Sequence, residues 1–245
     1  MKREILSFLL TITILQLSPL WGWCADFQKG LDAAQRGDYA TALKEWKPLA
    51  EQGDGLAQSN LGAMYTRGQG VPQNDKTALK WYTLAAEQGN AKAQTILGLM
   101  FASGEGAPQD HESALKWYNL AAQQGITLAQ NNLGNMYRLG QGVPQDYESA
   151  LRWHTLAAQQ GNGQAQYNLG SMYGKGQGTL QNYTRAHMWW NIAAAKGIEK
   201  ARKSRDMIEN KMPSALIETA QKLAHECIEY EYKGCGEKRS WWKFW

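Results

Sequence analysis

The sequence predicts an all-α protein built as a solenoid of stacked helix pairs, and three observations lead to that prediction. Leu-Gly recurs at a fixed step of 36 residues, at Leu61-Gly62, Leu97-Gly98, Leu133-Gly134 and Leu169-Gly170. Each repeat contains two apolar faces with helical spacing, and a glycine-rich loop separates them. A single helix pair cannot bury its own apolar face, so units of this length stack on their neighbours.

The composition fits a packed protein and excludes several classes. Hydrophobic residues make up 43% of the 245 positions and charged residues 20%, which is ordinary for a folded protein. A net charge of +4 is far too small for a dedicated nucleic-acid-binding protein, so no nucleic acid is expected as a partner.

Residues 1–24 are predicted to be a secretory signal peptide. Basic residues at positions 2 and 3 precede an apolar run from Ile5 to Leu17. This run is shorter than the roughly 20 apolar residues that a membrane span needs. Gly22 and Cys24 would occupy the −3 and −1 positions of the cleavage site. The protein is therefore expected to be exported to the periplasm or secreted, and an uncleaved anchor is the alternative.

Residues 25–53 are predicted to form an N-terminal capping helix pair, with helices from Phe27 to Arg36 and from Tyr39 to Glu51. Trp46 lies one place later than the tryptophan of the following repeats and matches the position of Tyr82. Terminal units of a solenoid differ from internal ones because one of their faces has no neighbour.

Four repeats follow, at 54–89, 90–125, 126–161 and 162–197. In each, a first helix (helix A) leads through a loop to a second helix (helix B). In the second repeat, two glycines and a proline within 104–108 end helix A. Asp110 is placed to cap the start of helix B, and Gly125 is placed to end it in the left-handed conformation.

Two repeated residue types are assigned to packing. Glycine costs about 1 kcal/mol relative to alanine inside a helix, so the glycines of the Leu-Gly pairs are expected to let helix B approach closely. Tryptophans recur at the same step in helix B and are expected to fill the core between helix pairs rather than to bind ligands. They are Trp81, Trp117, Trp153 and Trp189.

Residues 198–236 are predicted to form a C-terminal capping pair, with helices from Ala201 to Asn210 and from Pro213 to about Cys227. Without the signal segment, Cys227 and Cys235 are the remaining cysteines, and an exported pair tends to form a disulfide. The alternative, a metal site, would need further ligands, and no metal is expected.

Residues 237–245 form a tail that is rich in aromatic and basic residues. Its last five positions are Trp241, Trp242, Lys243, Phe244 and Trp245. Tryptophan beside basic residues suits a membrane interface. Docking into a partner, or folding back onto the last helix pair, are the other interpretations.

Three motifs carry a resemblance to a known family. Ala-Gln-x-x-Leu-Gly-x-Met-Tyr stands at Ala57–Tyr65, Ala129–Tyr137 and Ala165–Tyr173. Gly-x-Gly-Val-Pro-Gln stands at Gly68–Gln73 and Gly140–Gln145, and Ala-Leu-x-Trp-Tyr-x-x-Ala-Ala-x-Gln-Gly at Ala78–Gly89 and Ala114–Gly125. Together they resemble Sel1-like repeats over residues 54–197.

The resemblance implies a right-handed α-solenoid of stacked antiparallel helix pairs, similar to tetratricopeptide repeats, with a concave groove lined by helix A. Family members are typically scaffolds and adaptors, and exported bacterial members often act in the envelope or at the host interface. The resemblance therefore implies a protein or peptide segment as the partner and requires no cofactor.

By resemblance to tetratricopeptide grooves, the exposed side of helix A supplies the candidate binding residues. They are Asn60, Asn131, Asn132, Asn135, Tyr167, Asn168 and Ser171, with the cations Arg67, Arg138 and Lys175 one turn later. An asparagine amide both donates to and accepts from an extended peptide backbone. The alternative is that these asparagines bond neighbouring helices or loops.

Catalytic motifs are weak in this chain. Cysteine-rich relatives of the family carry a β-lactamase-like label, and Ser-x-x-Lys occurs at Ser113–Lys116 and Ser240–Lys243. The first has counterparts in the other repeats, where it marks the start of helix B, and His-Glu-x-x-His is absent from the sequence.

The leading hypothesis is a non-enzymatic, exported adaptor. The alternatives are a cell-wall or β-lactam hydrolase and an envelope factor docked on the membrane by its tail.

Overall fold

In a computed structural model, the protein is described over residues 18–232 and 235, with side chains from residue 26 onward. This part of the chain forms twelve α-helices and contains no strand. They are α1 (Ser18–Gln35), α2 (Tyr39–Glu51), α3 (Gly55–Arg67), α4 (Asp75–Glu87), α5 (Ala91–Ser103), α6 (His111–Gln123), α7 (Thr127–Leu139), α8 (Tyr147–Gln159), α9 (Gly163–Lys175), α10 (Tyr183–Ala195), α11 (Glu199–Glu209) and α12 (Ser214–Glu229). Two compact units divide between Gln109 and Asp110, so that α1–α5 lie in the first and α6–α12 in the second.

Within each unit the helices pack as adjacent stacked pairs, which confirms the all-α solenoid of helix pairs. Helices α3, α5, α7 and α9 are helix A of the four repeats, and α4, α6, α8 and α10 are helix B. Asp110 caps α6 as predicted, because its carboxylate accepts hydrogen bonds from the backbone N–H groups of Glu112 and Ser113. Gly125 follows α6 with a φ of +85°, as a left-handed stop requires.

Three glycines of the Leu-Gly pairs, Gly62, Gly134 and Gly170, lie directly against a large side chain of helix B, as predicted. A Cβ atom on Gly62 would lie 2.8 Å from the Tyr82 ring, and one on Gly134 would lie 2.9 Å from the His154 ring. Trp46 takes the same place against Gly30 in the N-terminal pair, which confirms its alignment with Tyr82. Each absent Cβ therefore lets the two helices of a pair approach closely.

The tryptophan prediction is confirmed for Trp189, and the other three members lie less deeply than expected. Trp81, Trp117 and Trp153 are only half-buried, although Trp81 does pack against the preceding helix pair, whereas Trp189 is buried. The next residue of helix B takes the deepest place instead, as Tyr82, Tyr118 and His154 are at most 2% exposed. A step of one residue turns a helix by about 100°, and it is this next residue that faces the glycine of helix A.

The terminal helices depart from the predicted bounds mainly at the N-terminus. Helix α1 extends from Ser18 through the expected cleavage site at Cys24, with Pro19 in its first turn, where proline is tolerated. Helix α2 matches its predicted bounds, and α12 follows Pro213. The signal-peptide prediction otherwise falls on residues 1–17, which lie outside the described residues.

A buried glutamine in each helix A joins successive helix pairs. Gln130 donates its side-chain amide to the carbonyl oxygen of Ala122 in the preceding helix B, at 3.2 Å. The same bond recurs one repeat before and one after, from Gln94 to Ala86 and from Gln166 to Ala158. Gln160 in turn donates to the side-chain oxygen of Gln130. These amides give a second hydrogen bond to carbonyl oxygens at the end of helix B, which also accept the backbone N–H of the glycine that follows the helix.

Replacing Gln130 by leucine should therefore destabilise the protein by about 1 kcal/mol, because the Ala122 carbonyl loses its buried side-chain hydrogen bond and the Gln160 amide loses its acceptor. Urea unfolding followed by circular dichroism measures the change. Gln123→Leu is the matched control, because this exposed residue at the end of α6 should change stability by less than about 0.5 kcal/mol. Equal effects of the two substitutions would show that the buried bond contributes nothing.

Candidate functional site

In the first unit, the predicted binding residues lie on α3. Asn60 is half-buried and Arg67, in the last turn, is exposed. Burial raises the pKa of the nearby Tyr82 hydroxyl, and a hydrogen bond with Thr66 and the positive charge of Arg67 oppose this rise.

In the second unit, α7 and α9 bring several predicted residues together. Asn168 of α9 donates its amide to the side-chain oxygens of Asn131 and Asn135 on α7, at 3.2 and 3.3 Å. Asn131 and Asn168 are 4% and 8% exposed. These two amides thus join neighbouring repeats, which is the alternative use that the sequence left open.

The other predicted residues of this unit remain partly or fully accessible. Asn132, Asn135 and Arg138 on α7 and Tyr167 and Ser171 on α9 are half-buried, and Lys175 is exposed. We call these six residues the helix-A face. Arg138 donates to Asn135 at 3.4 Å, so the guanidinium is held near the amides.

Asn132 also contacts helix B of the preceding pair. Burial raises the pKa of Tyr118 to about 12, and a hydrogen bond with the Asn132 side chain opposes this rise. Asn132 therefore contributes to packing in addition to its half-exposed position on the helix-A face.

A cleft of about 390 Å³ opens at the end of this face, between α9, α10 and α11. Aromatic and aliphatic side chains form much of its wall, and two lysines and two serines line the remainder. The lining residues are Tyr167, Ser171, Gly174, Lys175, Tyr183, Trp190, Ser204, Met207, Ile208 and Lys211. This volume lies in the range of typical ligand pockets, roughly 300–1,000 Å³.

Sequence reasoning found Tyr167, Ser171 and Lys175 of this cleft and missed the wall that α10 and α11 supply. The repeat register offered a signal, because Lys211 lies 36 residues after Lys175 and so takes the corresponding place one repeat later, just beyond the end of α11. The more divergent sequence of α11 hid that correspondence.

Ser113, the serine of the first Ser-x-x-Lys motif, belongs to the start of α6. Its hydroxyl donates to the Asp110 carboxylate at 2.6 Å, and this bond is the largest cause of the lowered pKa of Asp110. The Lys116 ammonium lies 5.2 Å from the centre of the Trp117 ring. The serine and the lysine thus each have a structural contact, and the second motif, at 240–243, lies outside the described residues.

The predicted disulfide is present between Cys227 and Cys235, whose Cα atoms are 5.0 Å apart. It attaches the segment after α12 to a core that includes Ala224, Leu169 and Trp189. The tail interpretations, which rest on Trp241, Trp242, Lys243, Phe244 and Trp245, fall outside the described residues.

The described part of the chain contains neither a membrane-spanning helix nor a cluster of metal ligands. Over residues 18–232 and 235, none of the helices has both the length and the apolar character to span a bilayer. The same residues hold no group of three or more histidine, cysteine or acidic side chains arranged to bind a metal ion.

Comparison with known proteins gives matches at the level of family and fold. The Sel1 repeat family model matches four consecutive stretches, residues 55–90, 91–126, 127–162 and 163–198. No curated protein sequence matches the chain.

Two solved structures are similar to it. One is a Sel1 repeat protein from Oxalobacter formigenes, with 32% identity and a TM-score of 0.70, covering 74% of this chain and 75% of that one. The other is a protective antigen, present in uropathogenic Escherichia coli strains, that displays an SLR fold. It shares 30% identity, with a TM-score of 0.73, and the match covers 85% of this chain and 48% of the antigen. This chain thus spans about half of the antigen's length.

Proposed function

The chain belongs to the Sel1 repeat family, and from this membership we propose that it is an exported scaffold that holds a protein partner against its helix-A face. The Sel1 fold is generally a scaffold for protein–protein interaction, and the family is typically non-catalytic. Export to the cell envelope or the host interface is the finer part of the proposal. It is supported by the basic start and the apolar run at residues 5–17.

The observation that supports the binding face most directly is its composition in the second unit. Asn135, Arg138 and Ser171 are half-buried, so they are partly ordered by their neighbours and still reach solvent. Amide and hydroxyl groups held in this way can bond an extended backbone, and Arg138 and Lys175 can attract a carboxylate. The face also leads into an open cleft whose wall is largely apolar.

Cross-linking and affinity capture from the envelope fraction of the native cell tests this proposal. We expect the wild-type protein to be recovered in that fraction and to capture a partner that an Arg138→Glu/Lys175→Glu variant captures several-fold less. Reversing two charges on the face removes attraction for an acidic segment and adds repulsion.

The matched control reverses two exposed charges elsewhere, in the Lys76→Glu/Lys80→Glu variant on α4. Its net charge equals that of the face variant, so a general electrostatic effect would reduce capture equally in both. Equal capture by all three proteins would contradict binding at the helix-A face. Absence of the protein from both the envelope fraction and the culture medium would contradict export.

A further inference from the structure

We propose that the cleft between α9, α10 and α11 is an anchor site for one large apolar side chain of a partner segment, with Lys175 and Lys211 binding a carboxylate beside it. This inference rests on the proposed function and specifies the chemistry of the partner. It concerns the second unit alone.

The repeat register explains why a cleft opens at this place. Between α7 and α9, the corresponding gap is closed by Asn131, Asn135 and Asn168, whose amides bond one another. The residues 36 positions later are Tyr167, Ser171 and Ser204, and all three line the cleft. A serine at position 204 is too short to repeat the bridge that Asn168 makes, so the space between α9 and α11 stays open.

Glycine at position 174 removes a second side chain from the same region. The equivalent residue one repeat earlier is Arg138, and Gly174 leaves room for the Trp190 indole, whose Cη2 lies 3.1 Å from where a Cβ would be. The indole N–H donates to the Tyr167 carbonyl oxygen at 3.2 Å, which fixes the ring. Together with Ile208 it gives the cleft a rigid apolar wall, and buried aromatic walls of this kind are typical anchor sites.

Met207 extends the apolar wall of the cleft to its solvent-exposed rim. Its side chain is 67% exposed, although it lines the cleft. A flexible thioether at the rim adapts to the shape of an inserted side chain. An apolar anchor in the cleft would cover part of this exposed surface.

The charge around the cleft favours an acidic partner. Lys175 and Lys211 form no ion pair with any residue in the described ranges. The nearby acids of α11 are already engaged, Asp206 with Arg205 and Glu209 with His187. The two lysines therefore offer positive charge to a carboxylate. The protein's own tail fits less well, because residues 237–245 carry three basic residues and one acid.

The test uses the full chain and a synthetic peptide, acetyl-Gly-Ser-Asp-Phe-Asp-Ser-Gly-amide. Binding is followed by the ¹H–¹⁵N resonance of the Trp190 indole, which is assigned from its loss in a Trp190→Phe variant. We expect this peptide to shift the resonance saturably. A peptide with alanine in place of phenylalanine, and one with lysine in place of both aspartates, should bind about tenfold more weakly or less.

Protein variants separate the two parts of the site. Lys175→Glu/Lys211→Glu should weaken binding of the aspartate peptide by about tenfold or more, whereas the control Lys76→Glu/Lys80→Glu should bind it as the wild type does. Ser204→Asn introduces the residue that closes the preceding gap and leaves the charge unchanged. It should also weaken binding, and its circular dichroism spectrum should match that of the wild type.

Several results would overturn the inference: no shift with the aspartate peptide, equal affinity for the lysine peptide, or equal loss in the control variant. A tail variant with serine at positions 241, 242, 244 and 245 tests whether the protein's own tail occupies the cleft. If this variant alone moves the Trp190 resonance and admits the peptide, the tail fills the cleft and the inference is wrong. A Trp190 resonance that moves with protein concentration would assign the cleft to a second copy of the chain and would equally overturn it.

The two proposals can fail separately. A partner that is captured through the helix-A face, together with no peptide binding, would leave the proposed function standing and overturn the anchor site. Peptide binding without any captured partner would support the anchor site and overturn the proposed function.

Discussion

Replacing Gly142 by alanine is expected to destabilise the protein by about 3 kcal/mol, from the sum of backbone strain and a forced displacement of the neighbouring repeat. Gly142 has a φ of +68°, in the left-handed region that an L side chain enters at a cost. A Cβ at this position would also lie 2.4 Å from the carbonyl oxygen of His111, at the start of helix B in the preceding repeat. Backbone atoms cannot rotate away as a flexible side chain would, so the loop or the helix must shift.

Gly125→Ala isolates the first of these two costs. Gly125 has a φ of +85°, but no atom lies within 4 Å of the place its Cβ would take. This control should lose about 1–2 kcal/mol, which is the conformational strain alone. Urea unfolding of the two variants and the wild type, followed by circular dichroism, gives the comparison. Equal losses would show that displacing the loop from His111 does not lower the free energy of unfolding.

The same contact explains the Gly-x-Gly element, which sequence reasoning read only as a helix stop. The first glycine, such as Gly140, does end helix A in the left-handed conformation. The second glycine instead lets the loop touch the previous repeat, and Gly106 and Gly178 approach Asp75 and Tyr147 in the same way as Gly142 approaches His111. Because the two partners lie 31 residues apart in the chain, no local pattern reveals the contact.

What the sequence could predict was local. The bounds of α2, the Asp110 cap and the stop at Gly125 follow from residues within one or two turns of each other, and the structure agrees with them. The rotation of helix B was harder to predict. Trp81 and Tyr82 are both aromatic, and only the close approach of the two helices of the pair decides that Tyr82 faces Gly62.

For the candidate site too, the sequence predicted local positions but not the contacts between helices. The asparagines of α7 and α9 were predicted as a group from their positions, but nothing local distinguishes Asn131, which bonds Asn168, from the half-exposed Asn132. The cleft exists because the short side chain of Ser204 leaves space between α9 and α11. It is recognised only once the packing of α11 against α9 is known. A missing side chain gives no signal to a search for chemical motifs.

The second large effect should appear as acid sensitivity caused by His154. Burial, with a smaller contribution from the charge of Arg138, lowers the pKa of this histidine from 6.5 to about 3. The side chain is fully buried, and neither ring nitrogen has a hydrogen-bond partner among the described residues. The unfolded chain therefore binds a proton at this residue below about pH 6.5, and the folded chain does not bind it until about pH 3.

Stability should consequently fall as the pH is lowered through this window, by up to about 1.4 kcal/mol per pH unit from this residue. A His154→Tyr variant should lose that contribution, because tyrosine, the residue at the equivalent positions 82 and 118, stays neutral throughout. Between pH 7.5 and pH 4.5 the wild type should lose about 2–3 kcal/mol more than the variant does. Urea unfolding at intervals of half a pH unit measures both curves.

Acids that are stabilised in the folded state also contribute to acid sensitivity, but they do so equally in both proteins. Asp110 and Asp146, for example, have lowered pKa values because each accepts hydrogen bonds from the serine three residues later. Their contribution is lost as the pH falls below the ordinary carboxylate range, and the difference between the two curves removes it. His154→Phe provides a second neutral side chain without a hydroxyl, in case the tyrosine hydroxyl disturbs Arg138. Parallel curves for all three proteins would mean that the folded protein admits a proton at His154, and thus that the buried site opens to water well above pH 3.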